Sequence, residues 1–79
     1  MEQKKFEAVL IVIVPQVVAL IMKNYHWDEI MATRKLYESK VYALLENEQT
    51  KLWHFSPLTL FNMFKNEEET GDFQIPEEV

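Results

Sequence analysis

His54 is a residue of this 79-residue chain whose neighbours could tune its imidazole for acid–base chemistry, because it stands between Trp53 and Phe55. An imidazole acts as a general base when its surroundings hold its pKa near neutrality. Nucleophilic catalysis also needs a hydroxyl within reach and a third group that orients the imidazole. Ser56 alone does not complete such a set. We therefore interpret His54 as a structural histidine, and we expect no catalytic residue and no enzymatic activity.

A run of acidic residues near the carboxyl terminus is the next group to consider. It lacks the alternating acids and the central glycine of a calcium-binding loop. The chain has no cysteine and only two histidines, which excludes a cysteine-based zinc site. We therefore expect no metal and no cofactor, and we interpret the run as a solvated face that keeps the protein soluble. The alternative is that it steers a basic partner. The acids are Glu67, Glu68, Glu69, Asp72, Glu77 and Glu78.

The net charge of −5 is concentrated in that run. It holds six of the 13 acidic residues, so Met1 to Lys65 carries seven acids against all eight bases and is close to neutral. Nucleic-acid binding needs a concentrated positive field that releases phosphate counterions. Only the short cluster Arg34, Lys35 and Lys40 approaches one. We therefore expect no nucleic-acid partner.

Four ring-bearing side chains in the middle of the chain could line a pocket for a small molecule. Such pockets are mostly apolar and aromatic, with a few polar groups. Aromatic residues at this spacing are also what a plain hydrophobic core uses. A small-molecule sensor is therefore the alternative to a function in protein binding. The candidate lining residues are Tyr37, Tyr42, Trp53 and His54.

The amino-terminal segment is the most apolar part of the chain, with unbroken apolar runs at 8–14 and 17–22. Lys4 and Lys5 precede it, as basic residues precede the core of a signal peptide. Pro15 interrupts it, no small-residue cleavage pattern follows it, and it is shorter than the roughly 20 apolar residues of a spanning helix. We therefore expect a buried helix of a cytoplasmic protein with no membrane partner. The alternatives are a membrane or export segment, and a strand before Pro15, which the β-branched residues there favour.

Capping signals divide the rest of the chain into helices. Asp28 and Ser39 are good N-cap residues. Ser56 followed by Pro57 is the clearest helix start in the sequence, because proline at the first helical position loses no hydrogen bond. Gly71 can adopt the left-handed conformation that ends a helix. These signals predict three helices after the amino-terminal one.

The whole pattern predicts an all-α fold with a single domain at 1–79. A β-hairpin that pairs 40–45 with 50–55 is the alternative for the middle of the chain, although the Asn-Gly turn signal is missing. We predict a small bundle of about four helices, at about 4–24, 29–37, 40–46 and 57–70, with an extended C-terminal tail.

The first helix is apolar on nearly all sides and must therefore be covered on nearly all sides. A 79-residue chain contains little material to cover it. We expect a second chain to do so, in a homodimer or in a complex with a small protein partner. The predicted interface comprises Val9, Val12, Ile13, Val17, Leu20, Trp53, Phe55, Leu60, Phe61 and Phe64.

Several segments resemble a family of short bacterial proteins of unknown function, over roughly positions 6–79. The resemblance is carried by LYESKVYALLE at 36–46, TKLWHFSP at 50–57, the Thr70-Gly71 pair and IPEE at 75–78. It implies a helical, cytoplasmic protein associated with loci like toxin and antitoxin modules, and no catalytic residues. His26 and Trp27 depart from the family pattern, where a small residue and a leucine are usual.

Overall fold

The computed structural model describes residues 3–72 and shows the all-α fold that the sequence predicts. Every predicted helix is present, and each boundary lies within one residue of its predicted position. Two single turns of 3-10 helix, Glu48–Thr50 and Leu52–His54, connect the third helix to the fourth. The predicted extended tail falls on 73–79, outside the described residues. The helices are α1 (Gln3–Tyr25), α2 (Glu29–Tyr37), α3 (Lys40–Leu45) and α4 (Pro57–Thr70).

The helix ends are fixed by the capping residues that the sequence indicates. The Asp28 carboxylate accepts a hydrogen bond from the Met31 amide at 2.8 Å. The Ser39 and Ser56 hydroxyls cap α3 and α4 in the same way. Gly71 ends α4 with a φ of 83°, and its amide donates to the Glu67 carbonyl at 2.7 Å. Because each contact joins residues close in sequence, local chemistry determines these boundaries.

α1 continues through Pro15 as one helix of 23 residues, so the alternative of a strand before this proline is wrong. Proline has no N–H, and the Ile11 carbonyl therefore loses its usual helical donor. Pro15 and Ile11 are both exposed, on the side of α1 that faces away from the core. Water can therefore solvate the Ile11 carbonyl in the single chain, and the helix tolerates the proline.

The segment between α3 and α4 forms compact turns and no hairpin, so that alternative is also wrong. The Asn47 side chain accepts a hydrogen bond from the Gln49 amide at 3.0 Å. The Thr50 hydroxyl contacts the Asn47 carbonyl at 2.9 Å. The Trp53 indole N–H donates to the Glu48 carbonyl at 2.9 Å. These local bonds satisfy groups that a β-ladder would have paired.

Lys51 separates the two 3-10 turns and has a φ of 60°, in the left-handed region. For a residue with a Cβ this conformation costs about 1–2 kcal/mol, which glycine avoids. We expect Lys51→Gly to raise the free energy of unfolding by about 0.5–1 kcal/mol, less than the full strain because glycine also loosens the unfolded chain. Urea unfolding followed by circular dichroism measures the change. The control Lys65→Gly, inside α4, should instead destabilise by about 1 kcal/mol, and a loss of stability in both variants would contradict this account.

A single cluster of buried apolar side chains draws on all four helices and on the second 3-10 turn. Ile21, Leu36, Leu52, Leu60 and Phe64 have no exposed surface. α1 lies against both α2 and α4, so it forms the centre of the arrangement. The cluster contains Ile13, Val17, Val18, Ile21, Ala32, Leu36, Val41, Leu45, Leu52, Leu60, Phe61, Met63 and Phe64.

Candidate interaction surface on the first helix

One side of α1 presents apolar side chains that the rest of the described chain leaves largely exposed. The exposed fraction is 73% for Ile11 and 61% for Val12. An α-helix turns by about 100° per residue, so positions three and four apart share a side. Between positions 8 and 19 the exposed residues follow this spacing over about three turns; Gln16 is the polar residue among them, and none is charged. We call this surface the outer face of α1; it consists of Ala8, Ile11, Val12, Pro15 and Ala19.

The opposite side of α1 is packed against the chain itself. Ile21 is fully buried, and Val17 is 1% exposed. This side follows the same helical spacing, half a turn away from the outer face. α1 is therefore apolar on both sides, and its own chain covers one of them. The buried residues are Phe6, Ile13, Val17, Val18 and Ile21.

The structure distributes the ten predicted interface residues among three environments. Val12 lies on the outer face, and Val9 and Leu20 are half-buried at its edge. Trp53 and Phe55 are half-buried in and beside the second 3-10 turn. The protomer's own core accounts for the others, which leaves Val9, Val12 and Leu20 as the predicted residues that border the exposed surface. The core residues are Ile13, Val17, Leu60, Phe61 and Phe64.

Depressions flank the outer face on both sides. On one side a groove of about 500 Å³ separates α1 from the start of α4, where Leu58 is 57% exposed. Further toward the amino terminus on that side, a depression of about 360 Å³ is lined by Ala8, Val9, Val12 and Ile13. On the other side a groove of about 390 Å³ lies between α1 and α2. The predicted interface does not include five residues on or beside this exposed surface: Ala8, Ile11, Pro15, Ala19 and Leu58. The first four lie in the uncharged stretch of α1, which is the sequence signal that could have identified them. The sequence around Leu58 offers no such signal beyond the apolar type of the residue.

The four predicted pocket residues form two ring pairs, Tyr37 with Tyr42 and Trp53 with His54. The rings of Tyr37 and Tyr42 lie 4.5 Å apart and border a groove of about 330 Å³ beside α1. Neither Trp53 nor His54 lines that groove. The His54 ring stacks on Phe55 with 4.6 Å between centroids, and its Nδ1 contacts the Lys51 carbonyl oxygen. Small-molecule sensing stays a prediction.

The acidic run has a structural role at its first residue. Glu67 of α4 accepts hydrogen bonds from two backbone amides at the start of α3, from Lys40 at 2.9 Å and from Val41 at 3.1 Å. The Lys40 ammonium group donates to the Gly71 carbonyl at 3.2 Å. Within residues 3–72, no group of three or more acidic or histidine side chains is arranged to hold a metal ion. Glu67 therefore links α4 to α3. The interpretation of the acidic run as a solvated face did not include this structural role.

The Tyr25 hydroxyl is buried and has no hydrogen-bond partner among the described residues. Its ring stacks on Trp27 with centroids 4.6 Å apart and meets Phe61 and Phe64 edge-on. Burial, followed by the negative charge of nearby glutamates on α4, raises the pKa of Tyr25 above its usual value. The folded protein therefore favours the neutral phenol more strongly than the unfolded chain does.

Tyr25→Phe is expected to raise the free energy of unfolding at pH 7 by up to about 1 kcal/mol, because it removes an unsatisfied buried hydroxyl. A raised pKa in the folded state gives stability that is fully present below pH 10 and is lost as pH rises through the folded pKa. The variant should therefore lose less stability than the parent above pH 10. Urea unfolding at pH 7 and in the alkaline range measures both effects. Destabilisation at pH 7 would show that the hydroxyl has a favourable partner.

α1 is long and apolar enough to cross a membrane when judged by length and composition alone. Its most apolar stretch has a mean hydropathy of 2.1, and 28% of that stretch is buried. The sequence-based argument that this segment is too short to span a membrane does not hold, because α1 continues through Pro15 as one helix. Core helices of soluble proteins and signal sequences meet the same criterion. The inner side of α1 packs against α2 and α4, and the cytoplasmic location stays a prediction.

No match was found for the chain in comparisons with models of protein families, with curated proteins or with solved structures.

Proposed function

We propose that this protein is a protein-protein interaction module that forms a homodimer through the outer face of α1. The observation that carries the proposal is the exposure of this apolar helix, since only 28% of its most apolar stretch is buried by its own chain. A contiguous apolar patch of this kind marks an interaction site on a soluble protein. Because the patch forms one continuous row on a regular helix, it suits a partner that also presents a helix.

The hydrophobic effect supplies the driving force. Full burial of an aliphatic side chain contributes about 1.5–3 kcal/mol. Ile11 and Val12 are mostly exposed in the single chain, so each has most of this contribution available for association. The face has no charged side chain whose desolvation would oppose binding. A small domain with a thin stability margin also gains from association, because binding to the folded state alone stabilises it.

We extend the proposal to a regulator of the antitoxin type, on the basis of the family resemblance described for positions 6–79. Such a regulator holds a second protein in addition to its own copy. Glu68 and Glu69 are exposed at the end of α4 and give this region a negative surface that suits a basic partner. That surface belongs to α4, so a partner bound there would leave the outer face of α1 available for the dimer.

Val12→Glu is expected to abolish the dimer while the helical fold persists, because Val12 is 61% exposed in the protomer. A buried carboxylate on each copy would face an apolar surface, which costs several kcal/mol and should raise the dimer dissociation constant at least about a hundredfold. Light scattering should give a mass near twice 9.5 kDa for the parent and near 9.5 kDa for the variant.

Ala43→Glu is the matched control, since it introduces the same side chain at an exposed position of α3. This variant should remain dimeric and equally helical by circular dichroism. The proposal fails if the parent protein is monomeric at high concentration, or if Val12→Glu leaves the dimer intact.

A further inference from the structure

Lysine side chains stand at both ends of the outer face of α1. Lys4 and Lys5 precede the face, Lys23 follows it, and all three are exposed. Residues seven or eleven positions apart on an α-helix lie within about 20° of the same side. Lys5 lies seven positions before Val12, and Lys23 lies eleven positions after it. Lys4 lies seven positions before Ile11. The face is therefore an apolar strip with positive charge at each end.

The acidic residues nearest this strip lie to its sides. Glu7 is the acidic residue of α1 (Gln3–Tyr25), and helical spacing places it about a quarter of a turn away from Pro15. Glu29 belongs to α2 and lines the groove beside the face. The net charge of −5 therefore does not describe this surface, whose own charged residues are lysines. Charge complementarity calls for an occupant that is apolar in the middle and negative around it.

A second copy of the chain supplies the apolar part of such an occupant and not the negative part. A symmetric contact joins a patch to itself, so the copy carries the same lysines at the ends of its own face. An anionic lipid bilayer supplies both parts. Its acyl chains cover apolar side chains such as Ile11 and Val12, and its headgroups attract the ammonium groups. Each lysine near such a surface raises the affinity roughly fivefold.

The packing of α1 decides how the helix meets a bilayer. Val17 and Ile21 are buried in the core, so α1 cannot cross a membrane while this fold persists. A helix that lies in the interface needs only one apolar side, which enters about 5–10 Å deep. Lysine stems follow the apolar surface while their ammonium groups stay among the headgroups. The sequence-based expectation of no membrane partner considered a crossing or exported segment, and it does not apply to a helix that lies on the surface.

We propose that the outer face of α1 also binds anionic lipid bilayers, with α1 parallel to the membrane and Lys4, Lys5 and Lys23 among the headgroups. This inference goes beyond the proposed homodimer, because it assigns a second occupant to the same face. The two occupants exclude each other, so lipid competes with the second copy. The chain then has a dimeric form in water and a monomeric form on the bilayer.

Co-sedimentation with vesicles tests the lipid contact. The parent should bind vesicles of phosphatidylcholine mixed equally with phosphatidylserine, and it should bind vesicles of phosphatidylcholine alone at least about tenfold more weakly. The double variant Lys5→Gln with Lys23→Gln should lower the affinity for the mixed vesicles about twentyfold, since it removes two of the attracting charges. The matched control is Lys35→Gln with Lys51→Gln, which changes the net charge equally outside α1 and should have little effect.

A fluorescent label shows which side of the protein meets the lipid. The natural chain has no cysteine, so a single labelled cysteine is specific. A label at Ile11→Cys, on the outer face, should be quenched by mixed vesicles with brominated acyl chains. A label at Ala43→Cys, at an exposed position of α3, should not be quenched. Contact with a second copy brings no bromine to the label, so this measurement separates lipid from the dimer.

The outcomes separate this inference from the proposed homodimer. A parent that stays in solution with the mixed vesicles, binds both kinds of vesicle equally, or responds equally to the two lysine pairs overturns the lipid contact. Equal quenching of the two labels overturns it as well. Light scattering without lipid decides the dimer on its own, and the Lys5 and Lys23 variant should remain dimeric there. A monomeric parent that still binds the mixed vesicles through Ile11 overturns the homodimer and supports the lipid contact.

Discussion

Phe64→Ala should lower the free energy of unfolding by about 3–5 kcal/mol, the range observed when a buried phenylalanine is truncated. Phe64 has no exposed surface, and its ring meets Tyr25 edge-on with centroids 6.1 Å apart. The substitution removes apolar contacts between α4 and the end of α1 and leaves a cavity that the surrounding residues fill only in part. The residue therefore contributes to the contact that holds the two longest helices together.

The effect is large compared with the total stability of a domain of this size. A domain of 60–100 residues loses roughly 4–8 °C in melting temperature for each kcal/mol, so the midpoint should fall by about 12–40 °C. Thermal and urea unfolding followed by circular dichroism measure the change. Ile30→Ala is the control, because Ile30 is 75% exposed and its truncation should change stability by less than about 0.5 kcal/mol. Equal effects of the two substitutions would contradict the packing described for α4.

Glu67→Ala should destabilise the fold by about 1–3 kcal/mol, the cost of leaving hydrogen-bonding groups without their charged partner. The Glu67 carboxylate accepts from the Lys40 and Val41 amides, two of the unpaired donors at the start of α3. Its negative charge also interacts favourably with the positive end of the helix dipole. Glu67→Gln should cost less than Glu67→Ala, because an amide oxygen still accepts one of the bonds.

Glu68→Ala is the matched control for this position, since it removes an exposed glutamate from the adjacent residue of the same helix. Its effect should stay within about 0.5 kcal/mol. Urea unfolding gives the stabilities, and the amide resonances of Lys40 and Val41 report the local change directly. Unchanged amide shifts in Glu67→Ala would show that the carboxylate does not bind these groups in solution.

The helix boundaries could be predicted from sequence because they depend on contacts between near neighbours. Asp28, Ser39 and Ser56 each cap a helix through an amide three residues ahead, and Gly71 ends α4 by its own conformation. The 3-10 turns are harder to predict from the sequence than the helix boundaries. Their bonds involve Asn47, Thr50 and the Trp53 indole, and each of these side chains has several alternative partners at that range.

The exposed apolar face of α1 is harder to predict because α1 is apolar on every side. Composition cannot show which side its own chain covers. Ile13 and Val17 belong to the predicted interface and lie in the core, whereas Ile11 and Pro15 lie outside the predicted interface and are exposed. The choice depends on where α2 and α4 pack, and that is a property of the whole fold. The same holds for Glu67, whose partner amides lie 26 and 27 residues away.

The link from Glu67 to α3 has a consequence for the order in which parts of the molecule open. A six-residue helix is too short to persist alone, because nucleation is unfavourable and few bonds follow it. Once the last turns of α4 fray, the first amides of α3 lose their acceptor and α3 is free to unwind. Hydrogen exchange at Lys40 and Val41 thus reports on events nearly thirty residues downstream, and the two segments form one cooperative unit of unfolding.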